Sequence, residues 1–152
     1  MYRHILLPVD GSEPSYRAAR RGIDLARALG ARVTVLTVTT PWETQFAREL
    51  AVLVPDIVVP ERDYEQKAQA AARTVLDRVA DAAQAAGVPC KLLHLRHRDP
   101  SLAIIETADR EACDLIVMGS HAPPGITGAL IGSETARVLT GSKAPVVVYR
   151  GM

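Results

Sequence analysis

Aromatic residues and net charge are both scarce in this chain of 152 residues. Phe, Trp and Tyr together make up 4% of it, which leaves few side chains on which single-stranded bases could stack. Lysine plus arginine exceed aspartate plus glutamate by one, so no overall positive charge would attract nucleic acid or an anionic membrane. We therefore expect the chain to bind neither nucleic acid nor a membrane.

Long apolar segments and closely spaced cysteines are missing as well. No segment approaches the ~20 apolar residues of a membrane span, and the apolar run near the start is too short for a signal peptide. Cys90 and Cys113 have neither CxxC spacing nor the dense pattern of a secreted disulfide framework, so we expect buried thiols. These features predict a cytoplasmic protein with one domain over residues 1–152.

Short apolar runs rich in Val, Ile and Leu recur along the chain and predict five strands: 3–9, 32–39, 90–96, 113–118 and 145–149. Their hydrophobicity is nearly continuous rather than alternating. That pattern is typical of parallel strands covered on both faces by helices.

Helical periodicity fills the segments between these strands. Helices are predicted at 13–29, 61–86, after Asp99, and at 133–140, with Ser12 and Asp99 as N-caps. In the second helix the predicted apolar stripe comprises Ala68, Ala72, Val75, Val79, Ala82 and Ala86. Residues 40–60 are bounded by prolines and allow a short helix near 44–53.

Alternation of strands and helices predicts a parallel sheet with right-handed crossovers. Ligands bind such sheets beyond the carboxyl ends of the strands, where the strand order reverses. The residues that follow Val9, Val38 and Met118 are therefore the candidate binding residues.

Two of these positions carry recognisable motifs. "PVDGS" follows the first strand and "MGSH...GSET" follows the fourth, and with the closing "APVVVYR" they resemble the universal stress protein family over nearly the whole chain. The resemblance implies an α/β fold of the adenine nucleotide α-hydrolase-like type. It is an open five-stranded parallel sheet with strand order 3-2-1-4-5 and helices on both faces. It also implies a homodimer paired through the last strand, by Val146, Val147, Val148 and Tyr149.

One subfamily binds ATP or AMP through Gly, two residues, Gly, nine residues, Gly, then Ser or Thr. Gly119, Gly132 and Ser133 match this pattern, and Ala122 stands at the second glycine. The resemblance places these residues around the nucleotide: Pro8, Val9, Asp10, Val38, Met118, Gly119, Ser120, His121, Ala122, Gly125, Gly132, Ser133, Glu134 and Thr135. A magnesium ion could accompany it.

Each motif also has a purely structural interpretation. Ser133 is a typical helix cap, and Asp10 is typical of an Asp-Gly turn. Glu134 stabilises a helix start but competes there with phosphate. Pro123 and Pro124 have no N–H to donate, and Pro123 restricts Ala122, so a loop that binds phosphate must follow a different course here.

Two functions are compatible with these motifs. The first is a stress-response regulatory module that binds ATP or AMP in the cleft and acts as a homodimer. The alternative is a nucleotide-free dimerisation or protein-interaction module of the same family. No catalytic residue and no metal site are predicted, because the chain has no Walker lysine, serine elbow or suitably spaced histidine pair, although weak ATP hydrolysis stays open.

Overall fold

The computed structural model describes residues 1–44, 60–120 and 132–150. Most of the short helix predicted near 44–53 lies outside these ranges, as do His121, Ala122 and Gly125. In the described ranges, strands and helices alternate in this order: β1 His4–Pro8, α1 Glu13–Leu29, β2 Arg32–Thr39, α2 Glu61–Ala85, β3 Cys90–Arg96, α3 Pro100–Arg110, β4 Leu115–Ser120, α4 Ser133–Gly141 and β5 Val146–Arg150.

The five strands form one parallel sheet in the order β3-β2-β1-β4-β5. This confirms the predicted fold class. β1 is the central strand, with β2 on one side and β4 on the other, so the connections run in opposite directions from it. The switch in strand order therefore lies at the carboxyl end of β1.

Side chains of the central strands are buried on both faces of the sheet. Ile5, Leu7 and Val117 pack under α1 and α2, whereas Leu6 and Ile116 pack under α3 and α4. This two-sided burial is the physical reason that the strands have continuous apolar sequences.

Three helix boundaries follow from local chemistry that the sequence predicts. The Ser12 side chain accepts a hydrogen bond from the N–H of Ser15 at 3.3 Å, and α1 ends at Gly30, whose φ of +66° is left-handed. The carboxylate of Asp99 accepts the N–H of Leu102 at 3.2 Å, and Pro100 is the first residue of α3. The predicted N-caps Ser12 and Asp99 are confirmed.

Other details differ from the sequence predictions. In α2 the predicted Ala72 and Val79 are buried, and Val75, Ala82 and Ala86 pack partly buried against the core. The buried face also includes Leu76 and Ala83, which the predicted stripe omits. Cys90 is exposed at the start of the edge strand β3, whereas Cys113 is buried, and burial raises the pKa of Cys113 to about 11. None of the helices in the described ranges has the length and apolarity needed to cross a bilayer.

Candidate functional site

A cleft of about 280 Å³ lies at the carboxyl edge of the sheet, beyond the ends of β1, β2 and β4. The N-terminal turns of α3 and α4 close its other side. It occupies the switch point in the strand order, where α/β proteins of this kind bind ligands.

The structure brings together in this cleft most of the residues that the sequence predicted, from four separate parts of the chain. Those that line it are Pro8, Val9, Asp10, Val38, Met118, Gly119, Gly132, Ser133, Glu134 and Thr135. Their role in binding a nucleotide stays a prediction.

Ser120 is the predicted residue that the structure places just outside the lining. Its hydroxyl is buried and accepts the N–H of Gly132 at 2.8 Å. This bond joins the end of β4 to the start of α4. Ser120 therefore holds the end of β4 close to the start of α4.

Four lining residues were not predicted from the sequence: Ser15, Leu36, Pro100 and Ile104. Leu36 lies two residues before Val38, so strand alternation puts both on one face of β2. Pro100 and Ile104 are four residues apart on α3 and therefore share a helix face. Periodicity could have found these pairs, but only the fold shows that both faces meet at the cleft.

The turn after β1 fixes the position of Asp10. Its Oδ1 accepts the N–H of Ser12 at 2.9 Å, and its own N–H donates to the Ser15 hydroxyl at 3.3 Å. Gly11 supplies the left-handed φ of +88° that this turn requires. The turn interpretation of Asp10 is thus correct, and the same turn leaves an exposed carboxylate at the cleft.

At Gly119, β4 passes close to the first turn of α1. A Cβ atom at this position would lie 2.6 Å from the carbonyl oxygen of Pro14 and 2.9 Å from its carbonyl carbon. Because both are backbone atoms, no side-chain rotation can relieve the contact. The first glycine of the motif therefore has a structural reason to be glycine.

The start of α4 presents amide groups to the cleft. Gly132 is the N-cap residue and Ser133 the first helical residue, with no side-chain cap, so the interpretation of Ser133 as the cap is wrong. The first N–H groups of a helix have no partner within it and carry a partial positive charge. The Thr135 hydroxyl, which donates to the Gly119 carbonyl at 3.3 Å, anchors this turn to β4.

An ion pair braces the helical side of the cleft. Arg137 of α4 contacts the Asp99 carboxylate at 2.6 Å, and Asp99 also accepts the Ser101 hydroxyl at 2.7 Å. The hydrogen bonds from Ser101 and from the Leu102 amide, together with Arg137, hold the pKa of Asp99 below its ordinary value. Asp99 thereby connects α3 to α4.

The cleft has an apolar part and a polar part. Val9, Leu36, Val38, Ile104 and Met118 offer a surface suited to a flat, weakly polar ring. Hydroxyls, amides and the carboxylates of Asp10 and Glu134 surround the rest. The described lining residues contain no histidine, cysteine, lysine or arginine.

Known proteins share this architecture. The sequence profile of the universal stress protein family matches residues 1–150. A universal stress protein of Thermus aquaticus is 30% identical over 150 residues, which cover 99% of this chain and 100% of that protein.

Two solved structures superpose closely. Protein MJ0577 of Methanocaldococcus jannaschii has 25% identity and a TM-score of 0.79, and the match covers 100% of this chain and 98% of that one. A universal stress protein in complex with cAMP has 25% identity and a TM-score of 0.70, covering 99% and 98% respectively.

The parallel sheet with its central switch point defines an α/β protein of the adenine nucleotide α-hydrolase-like fold. Within that class, the chain belongs to the universal stress protein family.

Proposed function

We propose that this chain is a cytoplasmic stress-response regulator that binds an adenine nucleotide, ATP or AMP, in the cleft at the carboxyl edge of the sheet. The observation that carries the proposal is the pairing of an apolar wall with the free amide groups of α4 in one cavity. An adenine ring needs an apolar surface and a phosphate chain needs hydrogen-bond donors. A single nucleotide can contact both only if they lie in the same cavity.

The residues suggest an orientation for the nucleotide. Adenine would lie against Val38 and its neighbours, and Asp10 would accept hydrogen bonds from the ribose hydroxyls. The phosphates would reach the amides of Ser133 and Thr135, because a helix N-terminus favours anions, whereas the N–H of Gly132 is already donated to the Ser120 hydroxyl. The cAMP complex of a relative with 25% identity supports an adenine nucleotide as the ligand.

Magnesium has a specific electrostatic role in this proposal. The described lining residues include carboxylates but no cationic side chain, so only the partial positive charge at the start of α4 is there to offset a triphosphate. A divalent ion carried in with ATP would offset the phosphates and Glu134 together. We therefore expect ATP to depend on magnesium more than AMP does.

Calorimetric titration with ATP and AMP, with and without magnesium, tests the proposal. We expect saturable binding by the intact chain and a loss of about tenfold in affinity for Asp10→Asn, which keeps the turn acceptor but removes the charge. Asp24→Asn, on the exposed side of α1, is the matched control and should bind as the parent does. No heat at millimolar nucleotide would refute nucleotide binding.

The second candidate is a nucleotide-free dimerisation or protein-interaction module. Glu134 favours it, because its carboxylate occupies the first turn of α4 where phosphate would otherwise sit. On this hypothesis Gly132 and Ser133 can be replaced without effect on self-association. The blank titration described above, together with an intact dimer, would establish it over the first.

A further inference from the structure

A second cavity, of about 380 Å³, lies at the opposite, amino edge of the sheet. Its lining includes His4 and Arg32, the first residues of β1 and β2, and Lys91 near the start of β3. Arg110, in the last turn of α3, comes from the helix layer above. Nothing in the proposed nucleotide function involves this cavity.

The register of the sheet explains why these cations converge. His4 pairs with Arg32, and Thr34 pairs with Lys91, so these four side chains share one face of the sheet. That face is the one on which α3 packs. Arg110 therefore approaches Arg32 and Lys91 from the helix that covers them.

Positive charge in this cavity exceeds negative charge. Glu111 is the carboxylate in its lining, and it contacts the Lys91 ammonium at 2.7 Å. Within the described residues, neither Arg32 nor Arg110 forms a salt bridge. The carboxyl end of α3 adds only about half a negative charge, which the two free guanidinium groups exceed.

The floor of the cavity is polar and buried. His4 and Thr34 are buried, and the Nε2 of His4 lies 2.6 Å from the Thr34 hydroxyl. Burial, and next the Arg32 charge, lower the pKa of His4, so its ring is neutral near pH 7 and adds no further charge. With His4 neutral, the positive charge of the cavity comes from Arg32, Lys91 and Arg110, and it exceeds the negative charge of Glu111 in the lining and of Asp114 beside His4.

We propose that this amino-edge cavity binds a small oxyanion, a phosphate or a carboxylate, between Arg32 and Arg110. A guanidinium group offers a planar pair of N–H donors that matches two oxygens of such an anion. One guanidinium group comes from the sheet and the other from the helix layer. A ligand with two anionic groups should therefore bind more tightly than a ligand with a single anionic group.

Two-dimensional amide NMR on the intact chain tests this proposal with pyrophosphate and citrate as separate probes at constant ionic strength. We expect saturable shifts at the amides of Arg32, Lys91 and Arg110. Arg32→Gln and Arg110→Gln should each weaken binding about tenfold. Arg21→Gln, on exposed α1, removes an equal charge elsewhere and should leave the affinity unchanged.

The two probes also identify the class of ligand. Saturable binding of pyrophosphate, of citrate or of both at the amino edge supports an oxyanion site there. Shifts confined to Gly132–Thr135, or shifts that sodium chloride reproduces, would overturn the proposal. Folding of each variant is verified from the dispersion of its spectrum. ATP titration of the Arg32→Gln, Arg110→Gln double variant keeps the two proposals separate, because loss of anion binding there leaves the carboxyl-edge cleft intact.

Discussion

Single residues at the cleft have structural roles of their own, and Gly119 shows this most clearly. Its Cα lies so close to the Pro14 carbonyl that an added methyl group would meet backbone atoms. The same glycine lines the cleft. Its place in the nucleotide motif is therefore explained by packing before any ligand is considered.

Replacing Gly119 with alanine should lower the free energy of unfolding by about 1–3 kcal/mol, because overpacked backbone contacts force neighbouring segments apart. Urea denaturation measures the loss. Gly141→Ala is the matched control: its added Cβ would lie 2.8 Å from Cδ1 of Ile105, the end of a flexible side chain. The control should stay within about 1 kcal/mol of the parent, and equal stability of the two variants would contradict the packing explanation.

Glu134 offers a test of where the phosphates lie. Two unit charges about 4 Å apart interact by about 1 kcal/mol in water, so Glu134→Gln should raise the affinity for ATP several-fold if phosphates occupy the start of α4. Calorimetry measures the change. Glu106→Gln, on the exposed side of α3, should leave the affinity unchanged, whereas weaker ATP binding by Glu134→Gln would argue against this placement.

At the scale of elements, Asp99 both caps the N-terminus of α3 and forms the ion pair with Arg137 of α4. Asp99→Ala removes the acceptor and the charge and should lower the free energy of unfolding. Asp99→Asn keeps an acceptor for the Leu102 amide and should cost less. Thermal and urea denaturation of both variants measure the difference, and equal losses would mean that the cap contributes nothing.

The same carboxylate predicts a pH dependence. The folded pKa of Asp99 is lowered, so its stabilising contribution is complete above the unfolded value of about 3.9 and is lost as the pH falls through the folded value. The parent should therefore approach the stability of Asp99→Asn in acid. A constant gap between the two from pH 7 to pH 2 would contradict this.

The sequence predicts the elements better than their faces or their order. Strand positions can be predicted because buried parallel strands are continuously apolar, as in 32–39. The complete buried face of α2 cannot be predicted, because alanines surround that helix. Whether Leu76 and Ala83 are buried depends on how the helix packs on the sheet. Strand order came only from family resemblance, since periodicity carries no information about which strands pair.

The cleft shows the same division. Asp10 follows β1, and Gly119 lies one residue before the end of β4, so both could be predicted from the switch-point rule. Ser15 and Ile104 could not, because each lies on a helix whose docking on the sheet is a property of the tertiary fold. Cleft residues that begin a turn or lie at the end of a strand can be predicted from the sequence. Cleft residues that face the cleft from a helix packed on the sheet cannot.

At the scale of the molecule, the sheet has two lateral edges, β3 and β5, that leave backbone groups unpaired within the described chain. Each carries an exposed apolar side chain, with Leu92 36% and Tyr149 37% exposed. Such edges invite pairing with another chain. Exposure alone does not distinguish them, so the proposal that β5 forms the homodimer needs a test that compares the two.

Val148→Glu is that test. Val146 and Val147 pack against the two cores, so a charge there would also damage the fold, whereas Val148 belongs to neither cluster. Val148→Glu should convert a dimer into a folded monomer, because two-fold pairing of β5 would place like charges together. Sedimentation equilibrium measures the mass, and urea denaturation verifies the fold. Leu92→Glu on β3 is the matched control and should stay dimeric; if it dissociates while Val148→Glu does not, the dimer forms through β3.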